Sequence, residues 1–204
     1  MDPISSADLR LPGWLLLVGG ALGIIGAFCP PYRQWSGTQE EGFRAIAGNP
    51  LGWWCIHIGF FSGTVLSALG LATLASILYR RTGGQWALSA AVAYGIAGVA
   101  WITNIAYRLS IWNWAAQAFV ATGTTPELFL PLRRFAGVLF GIFSVVGYAS
   151  VACLGAAVLC AQLASAWLGW AIVACGISAG YIVGYNVPLI MYVPFVALGI
   201  ALLG

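Results

Sequence analysis

His57 is the only histidine in the chain, and two tryptophans lie one helical turn before it, at positions 53 and 54. A neutral imidazole is the commonest metal ligand in proteins and holds the iron of many haem groups. One interpretation therefore makes His57 the axial ligand of a porphyrin or chlorin, with Trp53 and Trp54 beside the ring. The alternative is a histidine that hydrogen-bonds a neighbouring helix. A haem ligated by two histidines is excluded within this chain, because it has no second histidine.

Asn104 and Arg108 are one helical turn apart in the stretch that runs from Trp101 to Arg134. Polar side chains inside an apolar helix cost free energy unless they are paired, so we expect Asn104 and the adjacent Thr103 to face the interior of a helical bundle. Contact with a ligand or a lipid headgroup is one interpretation. Hydrogen bonding between helices is the alternative, and it is the commoner role of such residues.

Arg133 and Arg134 begin the fourth long apolar stretch. A planar guanidinium group binds a phosphate or a carboxylate in two places, so this pair, together with Arg108, would suit an anionic ligand or headgroup. The alternative is that both side chains extend to ordinary lipid headgroups at the membrane surface. Tyr181 lies one turn deeper than Tyr185, and we expect it to point inward and to contribute to the same ligand site.

No catalytic or metal-binding group is indicated by a specific motif. Glu40, Glu41 and Glu127 are the candidate carboxylates for acid–base chemistry, but two adjacent glutamates in one connection are not a catalytic pair by themselves. The apolar stretches lack carboxylates, so a metal cluster is not expected. The five cysteines form no CxxC motif. Cys29 and Cys55 both fall at ends of apolar stretches, which leaves a disulfide between them open.

Composition places the chain among membrane proteins. Hydrophobic residues make up 61% of it and charged residues 6%, whereas soluble domains carry about 25% charged residues. The eight basic residues are all arginines, and they are spread along the chain rather than clustered as in a nucleic-acid interface. The expected partners are therefore membrane lipids, with no nucleic acid. We expect an integral membrane protein of a prokaryotic inner or cytoplasmic membrane.

The long apolar stretches indicate an all-α fold, a polytopic transmembrane helical bundle that residues 1–204 form as one domain. We predict about six spans, because a helix needs about 20 residues to cross the hydrocarbon core. A short interfacial helix is predicted at 109–122, where the sequence is too short and too mixed to span. The predicted spans cover residues 11–28, 51–79, 86–107, 135–163, 167–185 and 188–204.

Glycines at intervals of three or four residues predict close contacts between helices, because they let two backbones approach. The series that ends at Gly184 has the most regular spacing of these, and it predicts a helix pressed against a neighbour. The glycines in question are Gly19, Gly23, Gly26, Gly137, Gly141, Gly176, Gly180 and Gly184.

Polar residues concentrate on one side of the predicted bundle. With six spans, the connections after the first, third and fifth share one side, which we call the wide face. The termini and the other two connections share the opposite side, the narrow face. The positive-inside rule places the wide face in the cytoplasm, and we expect any ligand site to open there. The arginines at the wide face are Arg33, Arg44, Arg108, Arg133 and Arg134, and those at the narrow face are Arg10, Arg80 and Arg81.

Three functions are compatible with this pattern. The favoured one is a non-catalytic integral membrane subunit of a larger membrane complex, which contributes helix packing, binds lipid or pigment and has other membrane subunits as partners. The first alternative is a transporter of a small solute or lipid with a polar pocket at the wide face. The second is a membrane-embedded enzyme that acts on a lipid or quinone and uses His57 with Glu40 or Glu41 as acid and base.

Overall fold

The computed structural model describes residues 5–28, 37–182 and 188–204, except the side chains of residues 27, 28, 179–182, 188 and 189. This part of the chain is all-helical and contains no strand. The helices, in chain order, are α1 (Ser6–Phe28), α2 (Gln39–Gly48), α3 (Pro50–Leu78), α4 (Gly84–Tyr107), a π-helical segment (Arg108–Trp112), α5 (Asn113–Thr122), α6 (Phe129–Ala161), α7 (Ala166–Ile182), a short 3₁₀ helix (Pro188–Met191) and α8 (Tyr192–Leu203).

Four helical stretches of the described residues are long and apolar enough to cross a membrane. They are Ser6–Gly26, Pro50–Leu78, Gly84–Thr122 and Phe129–Ala161, and they suggest a membrane protein, as the composition predicts. Two further apolar stretches, Ala166–Ser178 and Tyr192–Leu203, are shorter. The all-α prediction is therefore confirmed.

The first helix begins five residues earlier than predicted, at Ser6 rather than at position 11. Ser5 and Asp8 explain this start, because the Ser5 hydroxyl accepts a hydrogen bond from the backbone N–H of Asp8 and the Asp8 carboxylate accepts one from the N–H of Ser5. Such a reciprocal pair satisfies two of the backbone donors that a helix start leaves unbonded. Pro12 consequently lies inside the helix and not in its first turn.

A short helix, α2, lies in the polar segment between α1 and α3. Thr38 and Glu41 form a capping box at its start, in which each side chain accepts a hydrogen bond from the other's backbone N–H. Asn49 follows α2 and caps α3, with Pro50 at the first helical position and the Asn49 side chain accepting from the N–H of Gly52 at 3.0 Å. Asn49 and Pro50 therefore form the turn between α2 and α3.

The predicted boundary between a third span ending at 107 and an interfacial helix at 109–122 coincides with a change of helix type, and the interfacial position of the second helix stays a prediction. The π-helical segment joins α4 to α5, so the chain stays helical from Gly84 to Thr122. At a rise of about 1.5 Å per residue this stretch is about 58 Å long, whereas the hydrocarbon core of a bilayer is about 30 Å thick. The sixth helix also begins earlier than predicted, at Phe129 rather than 135.

Glycines bring α1 and α3 into backbone contact. A Cβ atom placed on Gly63 would lie 2.7 Å from the backbone nitrogen of Gly23, and one on Gly19 would lie 2.7 Å from that of Ser67. Gly176 of α7 is similarly pressed against α6, where its Cβ would meet the nitrogen of Ala152 at 2.5 Å. These predicted contacts are confirmed. Gly137 faces open space instead, and Gly180 and Gly184 lie outside the residues whose surroundings are described.

The helices pack as a bundle in which α1 contacts α3 and α8, α4 contacts α3 and α6, and α6 contacts α7. The short helices α2 and α5 pack together at one end, around an aromatic cluster separate from the main core. That cluster joins the N-terminal ends of α3 and α6 to α2 and α5, and its buried members are Phe43, Ile46, Trp53, Ala115, Ala116, Phe119 and Phe129. This end of the bundle is the wide face.

Candidate functional site

A cavity of about 220 Å³ lies at the wide face, and we call it the cup. Three helices and the π-helical segment supply its walls, so it forms only when α3, α4 and α6 are packed together. Its lining carries two positively charged side chains and no carboxylate. The lining residues are Trp53, Asn104, Tyr107, Arg108, Trp112, Arg133, Ala136, Gly137 and Phe140.

Asn104 holds the cup together. It is 1% exposed, and its amide nitrogen donates a hydrogen bond of 2.6 Å to the backbone carbonyl of Ala136 on α6. Its amide oxygen accepts a bond of 2.6 Å from Nε of Arg108. The interhelical hydrogen bond expected of Asn104 is therefore present, and the same side chain also orients a guanidinium group.

Arg108 lies inside the cup, where its guanidinium carbon is 5.7 Å from the centre of the Trp101 ring. A cation over an aromatic face is stabilised by the ring quadrupole, and this effect grows as water is excluded. The bond to Asn104 uses one of the five N–H donors of the guanidinium group. Arg108 is thus fixed by an amide on one side and by an indole ring on another.

Arg133 occupies the rim of the cup, where its side chain is exposed. Its Nη1 donates a hydrogen bond of 2.6 Å to the side-chain oxygen of Gln39, and Gln39 in turn donates one of 3.4 Å to the Thr125 hydroxyl. The first residue of α2 therefore holds the arginine that faces the cup from α6.

Tyr107 contributes a hydroxyl group to the lining of the cup. The side chain is 7% exposed, and its hydroxyl lies near the Trp112 indole and within electrostatic range of Arg108 and Arg133. It makes no hydrogen bond of acceptable geometry with any described residue. The cup therefore contains a buried O–H donor that the surrounding protein leaves without a partner.

His57 is fully enclosed behind Trp53. Its Nδ1 lies 2.7 Å from the carbonyl oxygen of Trp53, and because a carbonyl only accepts, Nδ1 carries the proton and Nε2 bears the lone pair. Nε2 has no hydrogen-bond partner among the described residues. The imidazole is 0% exposed, packed 4.1 Å from the Trp53 ring and 6.4 Å from the Phe60 ring.

This packing does not suit an axial ligand to a porphyrin or chlorin. His57 does not line the cup, and the cup is smaller than the roughly 300–1,000 Å³ of ordinary small-molecule sites. Trp54, expected beside the same ring, is 46% exposed on another side of α3. Trp53 instead serves the cup, because its indole N–H donates to the backbone carbonyl of Arg108 at 3.3 Å.

Other predicted site residues lie elsewhere. Thr103 is exposed and donates to the carbonyl of Val99 in its own helix, so the expectation that it faces the bundle interior is wrong. Arg134 is exposed and does not line the cup, since adjacent helical residues point in directions about 100° apart. The side chain of Tyr181 and the whole of Cys29 lie outside the described residues, as does any bond between Cys29 and Cys55.

The candidate carboxylates give no acid–base pair. Glu40 lies 3.8 Å from Arg44 on the exposed side of α2, which is the solvated arrangement that surface charges usually adopt. Glu127 is also exposed. No group of three histidine, cysteine, aspartate or glutamate side chains that would hold a metal ion occurs within residues 5–28, 37–182 and 188–204.

A larger depression of about 650 Å³ lies at the opposite end of the bundle. The start of α1 and the turns after α3 and α6 form it, so the structure brings together the segments expected at the narrow face. Its lining has one charged side chain, Arg81, beside Leu9, Leu78, Thr82, Cys160, Ala161, Gln162 and Leu163. The buried polar atoms that lack a hydrogen-bond partner among the described residues all lie outside this lining. We therefore regard the cup as the better candidate site.

Sequence reasoning identified Asn104, Arg108, Arg133 and Trp53, and the structure brings these four together. It missed Gln39, which no local signal connects with Arg133, and it gave Tyr107 and Trp112 no role in the site. Comparison of the chain with protein-family models, with curated proteins and with solved structures gives no match.

Proposed function

We propose that this chain is an integral membrane protein that binds the anionic headgroup of a membrane lipid in the cup, as a non-catalytic subunit of a larger membrane complex. The convergence of Arg108, Arg133 and the buried Tyr107 hydroxyl on one cavity carries this proposal. Guanidinium groups match the geometry of phosphate and carboxylate oxygens. The Tyr107 hydroxyl, which lines the same cavity, supplies a further donor for such an oxygen.

The size of the cup supports a headgroup rather than a large ring system. A volume of 220 Å³ corresponds to about seven water molecules at about 30 Å³ each. A phosphate or carboxylate group with a few attached carbons fits within it. The aromatic walls formed by Trp53, Trp112 and Phe140 suit those carbons.

The position of the opening favours a lipid over a soluble anion. Gly137 lines the cup, is exposed and has nothing within 4 Å of its Cβ position. Two residues near Gly137 on α6, Phe135 and Val138, are 54% and 62% exposed. An acyl chain leaving the cup past Gly137 would therefore meet apolar side chains that already face outward.

The membrane arrangement that we propose has six spans, with α7 and the 188–203 segment added to the four long helices. Helices α2 and α5 and the cup then lie at or beyond the membrane surface, because the helix from Gly84 to Thr122 is far longer than the hydrocarbon core is thick. The five arginines at the wide face, against three at the narrow face, support a cytoplasmic wide face. We place this arrangement in a prokaryotic inner or cytoplasmic membrane.

The absence of histidine and carboxylate from the cup's lining favours binding without turnover. Large apolar side chains face outward on α7, where Trp167, Trp170 and Ile177 are 64–72% exposed; they suit contact with lipid or with another membrane subunit. Native mass spectrometry of the protein purified from its own membrane tests this part of the proposal. Detection of a stoichiometric partner supports the complex. Detection of the chain alone would contradict the complex but not the lipid site.

Lipid titration tests the cup. We expect phosphatidylglycerol to raise the melting temperature of the detergent-purified protein and phosphatidylcholine to leave it unchanged. Arg108→Met and Arg133→Met should each weaken the phosphatidylglycerol effect about tenfold, because each removes a charge-assisted hydrogen bond of about 1.5–3 kcal/mol. Arg134→Met removes the same charge outside the cup and should change the affinity less than twofold.

Two outcomes would contradict the proposal. Equal losses of lipid affinity in the Arg133 and Arg134 variants would mean that surface charge alone determines lipid binding. Stabilisation by inorganic phosphate alone, with no further gain from the lipid, would identify a soluble anion as the ligand and support the transporter alternative.

A further inference from the structure

A second group of polar side chains lies in the middle of the bundle, away from the cup. It consists of Thr64 and Ser67 on α3, Tyr94 and Trp101 on α4, and Tyr192 at the start of α8, and we call it the inner cluster. Each of these five residues is at most 1% exposed. The Tyr94 hydroxyl adjoins those of Ser67, Thr64 and Tyr192, and the Trp101 indole N–H adjoins the Tyr192 hydroxyl.

The direction of two hydrogen bonds in the inner cluster follows from its geometry. The Thr64 hydroxyl donates to the carbonyl of Phe60 at 2.8 Å, and a hydroxyl has one proton to donate. The 3.0 Å contact between Thr64 and Tyr192 must therefore be donated by Tyr192. The hydroxyl protons of Thr64 and Tyr192 are then both engaged in hydrogen bonds, and the Tyr192 oxygen can still accept one.

Three donors in the inner cluster lie near other polar groups but make no hydrogen bond with them. The hydroxyls of Tyr94 and Ser67 and the indole N–H of Trp101 make no hydrogen bond of acceptable geometry with a described residue. Buried polar groups in native proteins are nearly always bonded, either to protein or to ordered water. In the apolar interior of a membrane bundle bulk water does not supply the missing partner.

Aromatic rings close the inner cluster on both sides. The Trp101 ring stacks on Phe143 at 4.7 Å and meets the edge of Phe60 at 5.4 Å, which separates the cluster from Arg108 above the same indole. On the other side, Phe195 lies 5.1 Å from the Tyr94 ring and 6.3 Å from the Tyr192 ring. No charged side chain belongs to the cluster, so a ligand there must be small, neutral and able to both donate and accept.

We propose that the inner cluster binds at least one water molecule. The lone pairs of that water accept from two of the three donors, and its protons are donated to the Tyr192 oxygen and to a hydroxyl of Tyr94 or Ser67. Buried waters typically make about three hydrogen bonds to groups that the protein leaves unsatisfied. The site would link α3, α4 and α8 through one exchangeable molecule.

The first test is a crystal structure from a lipidic mesophase at a resolution that shows ordered water. We expect density within hydrogen-bonding distance of Trp101 Nε1 and of the Tyr94 or Ser67 hydroxyl. Density for no water, with these hydroxyls bonded directly to one another, would overturn the proposal.

A second test uses the indole N–H signals of protein carrying ¹⁵N-labelled tryptophan. The Trp101 signal, assigned by its loss in Trp101→Phe, should show magnetisation transfer from water. The Trp53 signal is the matched control, because Trp53 is 0% and Trp101 1% exposed, but the Trp53 indole donates to a protein carbonyl. Tyr94→Phe removes one partner of the water and should reduce the transfer at Trp101 at least twofold without unfolding the protein. Equal protection of the Trp101 and Trp53 signals would refute the water site.

Discussion

The cup and the inner cluster both gather polar side chains within an apolar bundle, but only the cup holds charge. Arg108 lies fourteen residues after Tyr94 on the same continuous helical stretch, which is about 21 Å along the axis at about 1.5 Å per residue. A charge near the bilayer centre costs far more free energy than one near the end of a helix. In the membrane arrangement that we propose, the uncharged inner cluster lies deeper than the charged cup, as this dependence of the cost on depth predicts.

The two regions also differ in how their hydrogen bonds are completed. In the cup, Asn104 bonds both Arg108 and the backbone of Ala136, so protein groups supply the partners of the Asn104 amide, although the Tyr107 hydroxyl has none among the described residues. In the inner cluster, the donors of Tyr94, Ser67 and Trp101 lack them. A loss of one partner should therefore be more costly in the cup, where it breaks an existing network, than in the inner cluster.

Asn104→Leu should produce the largest loss of stability. The variant keeps the size of the side chain but removes the interhelical bond to the Ala136 carbonyl and the acceptor of Nε of Arg108, at a cost of about 2–3 kcal/mol. Reversible unfolding in mixed detergent micelles measures this loss. Thr103→Val is the control, because its exposed hydroxyl bonds only its own helix, and it should change stability by less than about 0.5 kcal/mol. Similar losses in the two variants would mean that Asn104 does not hold the helices together.

Tyr107→Phe should have an intermediate effect, and it should change lipid binding but not stability. The hydroxyl has no described protein partner, so its removal should leave the free energy of unfolding unchanged. The affinity for an anionic lipid should fall about two- to tenfold, as expected for the loss of one hydrogen bond of about 0.5–1.5 kcal/mol. The lipid titration described above measures both quantities. A drop in stability with no change in affinity would assign Tyr107 to packing and remove it from the site.

Thr64→Val should have the smallest effect. It removes the acceptor of the Tyr192 hydroxyl while preserving the shape of the side chain, and interhelical hydrogen bonds in membrane proteins contribute about 0.6 kcal/mol on average. Tyr192→Phe should cost a similar amount, and the double variant should cost less than the sum of the two, because both remove one bond. Lipid affinity of the cup should not change. A coupled loss of affinity would show that the aromatic layer around Trp101 does not separate the two regions.

The sequence predicts the all-helical fold because long apolar stretches dominate it, yet it does not predict α2. The signal for that helix was present in Thr38 and Glu41, three residues apart, followed by Phe43 and Ile46, which both turn toward the aromatic cluster. The polarity of the segment concealed this short amphipathic pattern. Residue type alone suggested a connection.

The direction in which each side chain leaves its helix explains which predicted site residues line the cup. Trp53 and Trp54 lie four and three residues before His57, and both spacings are compatible with its face of the helix. The packing of α3 buries Trp53 against His57 and leaves Trp54 46% exposed. Arg133 and Arg134 have the same chemistry, and only the packing of α6 decides which one faces inward. The contact of Arg133 with Gln39 spans 94 positions, so no local pattern could reveal it.

The π-helical segment at Arg108–Trp112 acts as a phase shift in one continuous helix. A π turn holds about one residue more than an α turn, so side chains after it are rotated relative to those before it. Deletion of a single residue there would restore a regular helix and rotate α5 by about 100°. Phe119 would then turn away from Phe43, whose ring it now meets at 5.5 Å. A one-residue insertion of this kind lets the second part of a continuous helix present a different face to its neighbours from the first part.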